Sequence, residues 1–118
     1  MSKPEVRLVT TDDPGDGPIA LGAMLTASAV SGANILRDMR EAITNTLGGE
    51  MIRYERLLDQ TIDRALGKLA EKAAARGYDG VVAVRLSHPA ITDGAIEVVA
   101  SGTGYRRMAE ARPPGPGR

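Results

Sequence analysis

Residues 31–78 read SGANILRDMREAITNTLGGEMIRYERLLDQTIDRALGKLAEKAAARGY. From Glu50 to Arg76 there is no proline, and Gly67 is the one glycine. Met51, Tyr54, Leu58, Ile62, Leu66 (with Ala65), Leu69 and Ala73 recur at steps of three and four. That spacing puts them on one face of a helix. Arg53, Glu55, Arg56, Asp59, Asp63, Arg64, Lys68, Glu71 and Lys72 fall between them and make a solvated opposite face. Arg76 and then Gly77 stop the helix: a cation near its negative end, then a residue that tolerates positive φ. At about 1.5 Å per residue the helix runs roughly 40 Å. A helix that long in a small chain needs a sheet, or a neighbouring subunit, along its apolar face. A shorter helix precedes it over residues 34–47, with Leu36, Met39, Ile43 and Leu47 as its stripe. Ser31 or Asn34 can cap its first turn. Gly48-Gly49 then lets the chain turn sharply.

Strand signals stand on either side. Val6–Thr11 (VRLVTT) alternates and is β-branched. Residues 12–18 (DDPGDGP) are a loop. Residues 19–30 form a second strand, and its small residues Gly22, Ala23, Ala27, Ser28 and Ala29 predict that something packs close to it or that it bends at Gly22. After the helices, Asp79-Gly80 turns into a strand over residues 81–87, with Val82, Val84 and Leu86 on one face. Pro89 ends it, because proline cannot donate a ladder hydrogen bond. Asp93-Gly94 closes a hairpin into a last strand over residues 95–106, with Ile96 and Val98 on one face and Glu97 and Val99 on the other. Gly102 and Gly104 predict a bulge or a close backbone approach. The order is β-β-α-α-β-β, an α+β domain: an antiparallel sheet with one long helix packed across it. Residues 1–108 make this single domain, and 109–118 (AEARPPGPGR) a disordered Pro/Gly-rich tail.

Composition bounds the function. Lys and Arg together number 15, as do Asp and Glu, so formal charge is zero and a generic electrostatic nucleic-acid binder is not expected. There is no cysteine, which removes disulfides, thiolate metal sites and cysteine nucleophiles. The chain opens without a charged-then-apolar leader pattern, and its weakly polar run at 19–30 is too short to span a bilayer. A soluble cytoplasmic protein with no membrane partner is the expectation. There is no Phe and no Trp, and there are only three Tyr. Large aromatics supply much of the buried area in small domains, which already bury a modest share of their surface. Burial between copies makes up that deficit, so a homo-oligomer is expected.

The run LGAMLTASAVSGANILRDMREAITNTLGGEMIRYERLL resembles the YbjQ-like family, labelled "putative heavy-metal-binding". The resemblance is carried by Ser31-Gly32-Ala33-Asn34-Ile35, Arg37-Asp38, Gly48-Gly49 and Tyr54-Glu55. The stretch from Gly77 to Arg85 and the closing Val99-Ala100-Ser101-Gly102-Thr103 also fit. It covers roughly residues 8 to 107. No single motif is diagnostic, while the ordered set is specific. The resemblance implies a dodecin-like subunit in a ring-shaped homo-oligomer, a pentamer. By its label it also implies a metal ion or small ligand as cofactor or cargo. Gly67 within the Ala/Leu helix, Gly80 where Ala is usual, and the tail depart from it.

Candidate chemistry is sparse. Soft metals want thiolates or clustered imidazoles, and the chain offers one imidazole, His88, beside Pro89 at a strand end. His88 is the metal candidate; a surface histidine is the commoner reading. A ring could bring several copies of one side chain to its axis. Met24, Met39 and Met51 read as core gap-fillers. Asn34, Arg37 and Asp38, in the first turn of a helix, can meet an anion; as readily, Asn34 caps and the other two form an intersubunit ion pair. Tyr54 and Glu55 could flank a pocket under the double glycine, or Tyr54 packs and Glu55 is solvated. These five are the ligand-binding candidates. Gly102-Thr103-Gly104 lacks the spacing and following helix of a nucleotide loop. Asp12, Asp13 and Asp16 depart from the calcium-loop pattern. A binding or scaffold protein is the first function class. The alternative is an enzyme whose site lies at a subunit interface and uses Arg37, Asp38, Tyr54 and Glu55.

Overall fold

The computed structural model describes residues 5–32, 49–91 and 94–109, with side chains from residue 52 onward in the helix. The elements are β1 (Arg7–Leu8), β2 (Ile19–Ser31), α1 (Gly49–Ala75), β3 (Gly80–Ser87) and β4 (Ile96–Arg107). Each agrees with its sequence signal to within a residue or two except β1, which shrinks to two residues. The helix expected over 34–47 and the tail lie outside the described residues. No helix among the described residues is long and apolar enough to cross a membrane.

The fold is α+β, but the sheet is mixed, not antiparallel. Its strand order is β1-β3-β4-β2. β1 runs parallel to β3, with Arg7 opposite Gly80 and Leu8 opposite Val81. The amide of Val9 donates to the Val81 carbonyl at 3.0 Å. The physical reason is that alternation fixes which face a residue takes, not which strand lies beside it. β2 takes its place next to β4, so β1 joins the far edge alongside β3. Long connections are what parallel pairs require.

The chain divides into two compact units, and α1, β2, β3 and β4 each contribute to both. The first comprises Met1–Leu25, Ala70–Arg85 and Ser101–Arg118. Its core is Leu25, Ala73, Val81, Val82, Val84 and Tyr105. Here α1 ends as the Arg76-Gly77 pair predicts. Gly77 has φ of 80°. Its amide donates to Ala74 O at 3.0 Å, and the amide of Tyr78 donates to Ala73 O at 3.0 Å. This pair of bonds satisfies carbonyls that a helix end otherwise leaves open. The close approach predicted at Gly22 and Gly104 is made by Tyr78, and that at Gly102 by Val81 and the Val82 carbonyl. A Cβ on Gly104 would lie 2.6 Å from Tyr78 Cδ2, and one on Gly22 would also collide with the ring. The Tyr78 hydroxyl accepts the Ala23 amide at 2.8 Å. In the 12–18 loop, Asp13 Oδ1 accepts the Gly15 amide at 2.8 Å. Asp16 reaches both Arg7 at 3.4 Å and Arg107 at 3.1 Å.

Ala83 has φ of 55°, a left-handed conformation rare for a residue with a Cβ. Its amide donates to Thr11 O and that of Val84 donates to Val9 O, at 2.8 and 2.9 Å. This bulge breaks the alternation of β3. Gly80, Val81 and Val82 are all buried, while Leu86, which the alternation puts on one face with Val82 and Val84, is 39% exposed where those two are buried.

The second unit comprises Thr26–Leu69 and Leu86–Ala100. Its core includes Ala27, Ala29, Ala65, Leu69, Ile96, Val98 and Ala100. The most buried line of α1 here is Thr61, Ala65 and Leu69, at steps of four, while Leu58, Ile62 and Leu66 are half-buried. A threonine is tolerated inside because its hydroxyl is paired, with Ser31 Oγ at 2.5 Å and with Leu57 O at 2.8 Å. A buried hydroxyl left unpaired would be costly. Met24, expected as a core filler, is 71% exposed.

Candidate functional site

The second unit holds a cleft of about 410 Å³. Tyr54 and Leu58, one turn apart on α1, form one wall. His88, Pro89 and Ile91, from the connection that leaves β3, form another, and Glu97 near the start of β4 also lines the cleft. Pro89 ends β3 just before this connection, as its missing N–H dictates. Glu97 is 8% exposed, and its carboxylate accepts the Ile91 amide at 3.0 Å. That bond ties the connection to the strand. The cleft thus combines a phenol, an imidazole and a carboxylate with aliphatic walls. Small-ligand sites likewise set a few placed polar groups among apolar ones.

Two of the residues singled out from the sequence, Tyr54 and His88, meet here. Glu55 is exposed on α1 and does not line the cleft. Asn34, Arg37 and Asp38 lie outside the described residues. The sequence places Glu97 on the strand face it shares with Val99 and does not single it out; the signal that could have found it is a carboxylate inside the otherwise apolar run Ile96–Ala100.

A heavy-metal centre needs three or four converging donors. Among the described residues no group of three or more His, Cys, Asp and Glu side chains is placed to hold an ion. His88 and Glu97 are two donors at most, so the described residues of one chain do not fit such a centre.

A second hollow, of about 540 Å³, lies in the first unit, with Val6, Ala70, Ala74, Tyr78, Asp79 and Arg107 among its lining. Its polar groups already hold the fold. Asp79 Oδ2 accepts the Arg107 amide at 2.7 Å, and the Arg107 guanidinium donates to Asp16 at 3.2 and 3.1 Å. The hydrogen bond from Asp16, and then its charge, raise the Arg107 pKa above its ordinary value. The cleft around Glu97 brings together Tyr54 and His88, the two described residues singled out from the sequence that line a hollow, and is the better candidate.

The family model described as "Putative heavy-metal-binding" matches residues 6–106. A UPF0145 protein of Halobacterium salinarum is 42% identical over 76 residues, covering 64% of this chain and 73% of the relative. One from Shewanella frigidimarina is 32% identical over 93 residues, covering 79% and 87%. Among solved structures, a Pediococcus pentosaceus protein of unknown function from the DUF74 family superposes with a TM-score of 0.61. It covers 87% of this chain and 98% of the other at 18% identity, a likeness of fold. With a family model spanning β1 to β4 and relatives of this identity, the chain belongs to the YbjQ-like family, in company with the UPF0145 proteins.

Proposed function

We propose that this chain is the subunit of a homo-oligomeric binding protein, not an enzyme, which takes a small organic ligand in the Tyr54–His88–Glu97 cleft. The observation that carries the reading is the cleft itself: a largely buried carboxylate, a phenol and an imidazole lining one hollow together with aliphatic side chains. A carboxylate in that setting favours a ligand bearing a cationic or hydrogen-bond-donating group, and the aliphatic walls favour a compact apolar remainder. Heavy-metal binding by a single chain has less support, for want of donors among the described residues. Homo-oligomerisation draws support from the core without Phe or Trp and from the large apolar side chains left outside, Leu21 at 65%, Met24 at 71% and Val30 at 52% exposure. The dodecin-like ring, a pentamer, rests on family resemblance.

Native mass spectrometry of untagged protein, purified without chelator, tests this. The expected result is a multiple of the subunit mass carrying an organic excess, and loss of that excess in His88→Ala or Tyr54→Ala. A bare monomer sinks the oligomer. An excess equal to one or more metal ions, or an organic excess that survives both substitutions, sinks the cleft as the organic ligand's site.

A further inference from the structure

β2 closes one side of the sheet among the described residues, with β4 as its single neighbour. An edge strand of 13 residues presents a row of backbone groups to any extended chain that approaches. Two of its carbonyls are occupied by side chains instead. Arg64 Nη2 donates to Val30 O at 2.8 Å, and Lys68 Nζ donates to Ser28 O at 3.0 Å. Ser28 and Val30 are two apart, so their carbonyls point to the same side of the strand. The geometry of the two elements matches. Carbonyls on one edge recur about every 6.7 Å along a strand, and four helical residues rise about 6 Å. Two cations one helical turn apart can therefore reach alternate carbonyls of a strand running the other way. The Thr61–Ser31 hydroxyl bond, one turn earlier on the same helix, fixes the register.

We propose that Arg64 and Lys68 are edge guards. They close the outer edge of β2 at Ser28–Val30 to strand addition, and the partner they exclude is β2 of a second copy of this chain. A second β2 is the occupant because edge-to-edge pairing of one strand with itself is two-fold symmetric and self-complementary. The segment is also suited to it: Thr26, Ser28 and Val30 face outward with no charge among them, and Val30 leaves half its surface open. Charged side chains at a sheet edge are a known means of blocking such pairing. Here the charges come from the neighbouring helix instead of the strand. The inference is independent of the ligand cleft and of the number of subunits in the native assembly.

The test is the double variant Arg64→Met/Lys68→Met, which keeps an unbranched apolar stem at each position and removes both donors. Sedimentation velocity over a concentration series is compared with the parent chain, with circular dichroism and thermal melting to establish the fold. The expected result is a new species of twice the parent assembly's mass, with self-association strengthened about tenfold or more. The amides of Ser28 and Val30 should gain protection from hydrogen exchange. Arg64→Lys/Lys68→Arg keeps both donors and should sediment as the parent does. A folded double variant with the parent's distribution overturns the proposal. So does a larger species in which the Ser28 and Val30 amides stay unprotected, since the copies then meet elsewhere. If the double variant does not fold, Arg64→Met and Lys68→Met are read singly; each uncovers one carbonyl, and unchanged self-association in both overturns the proposal as well.

Discussion

Tyr78→Ala is expected to cost about 3 kcal/mol of stability, a fall of roughly 10–15 °C in melting temperature. Tyr78 follows the helix-ending Gly77, and its ring fills the space that two glycines leave open. One is Gly22 on β2 and the other Gly104 on β4. Alanine there removes the ring from between two glycines, which have no side chains of their own to fill the space. The hydroxyl accepts the Ala23 amide at 2.8 Å. The guanidinium carbon of Arg106 sits 4.5 Å from the ring centre while that side chain donates to Arg76 O at 3.0 Å. Tyr78→Phe separates these contributions. It keeps the ring and the cation contact, loses one hydrogen bond from an exposed amide, and should cost about 1 kcal/mol. Urea unfolding of both variants checks this. Equal losses would mean that the hydroxyl, not the ring, holds the site.

Gly80→Ala is the second large effect, at about 2–3 kcal/mol. An added Cβ would lie 2.5 Å from the Tyr105 hydroxyl oxygen and 2.6 Å from the Arg7 carbonyl oxygen. Tyr105 is fully buried and cannot swing aside, and the other obstacle is backbone. The strand that must give way is β1, the shortest in the sheet. Loss of exchange protection is therefore expected at the amides of Val9, Ala83 and Val84, which make the β1–β3 hydrogen bonds. Gly67→Ala is the control: it makes the same chemical change on α1, where nothing lies within 4 Å. It should stabilise the chain by about 0.5–1 kcal/mol. If both substitutions behaved alike, steric crowding at Gly80 would not be the cause.

These glycines also mark what could be read from the chain without coordinates. Gly22, Gly102 and Gly104 announced close approach because a strand keeps glycine where a neighbour needs the room of a Cβ. Gly77 announced the helix end because its φ suits few other residues. Such signals are local, and they held. The parallel β1–β3 pair was not local. It depends on β2 choosing β4, a choice made by tertiary packing between segments far apart in sequence. The bulge at Ala83 was hidden for a different reason: alanine carries no mark of positive φ, and the alternation of Val82, Val84 and Leu86 suggested a regular strand. The site was legible in part. Tyr54 and His88 stood out as chemically able residues, but their meeting required α1 and the β3–β4 connection to come together. Glu97 was masked because strand alternation places it on a face with Val99 without saying whether that face is buried.

The distribution of the three tyrosines has an optical consequence. Tyr78 and Tyr105 belong to the first unit, and Tyr54 stands alone in the second, on the wall of the cleft. With no tryptophan in the chain, tyrosine emission is not drained by energy transfer to an indole. Tyr78 is stacked under a guanidinium and Tyr105 is sealed in the core. The protein therefore carries its own fluorophore at the candidate site, and entry of a ligand into the cleft is expected to change the tyrosine emission of the unlabelled chain, a change that Tyr54→Phe should abolish.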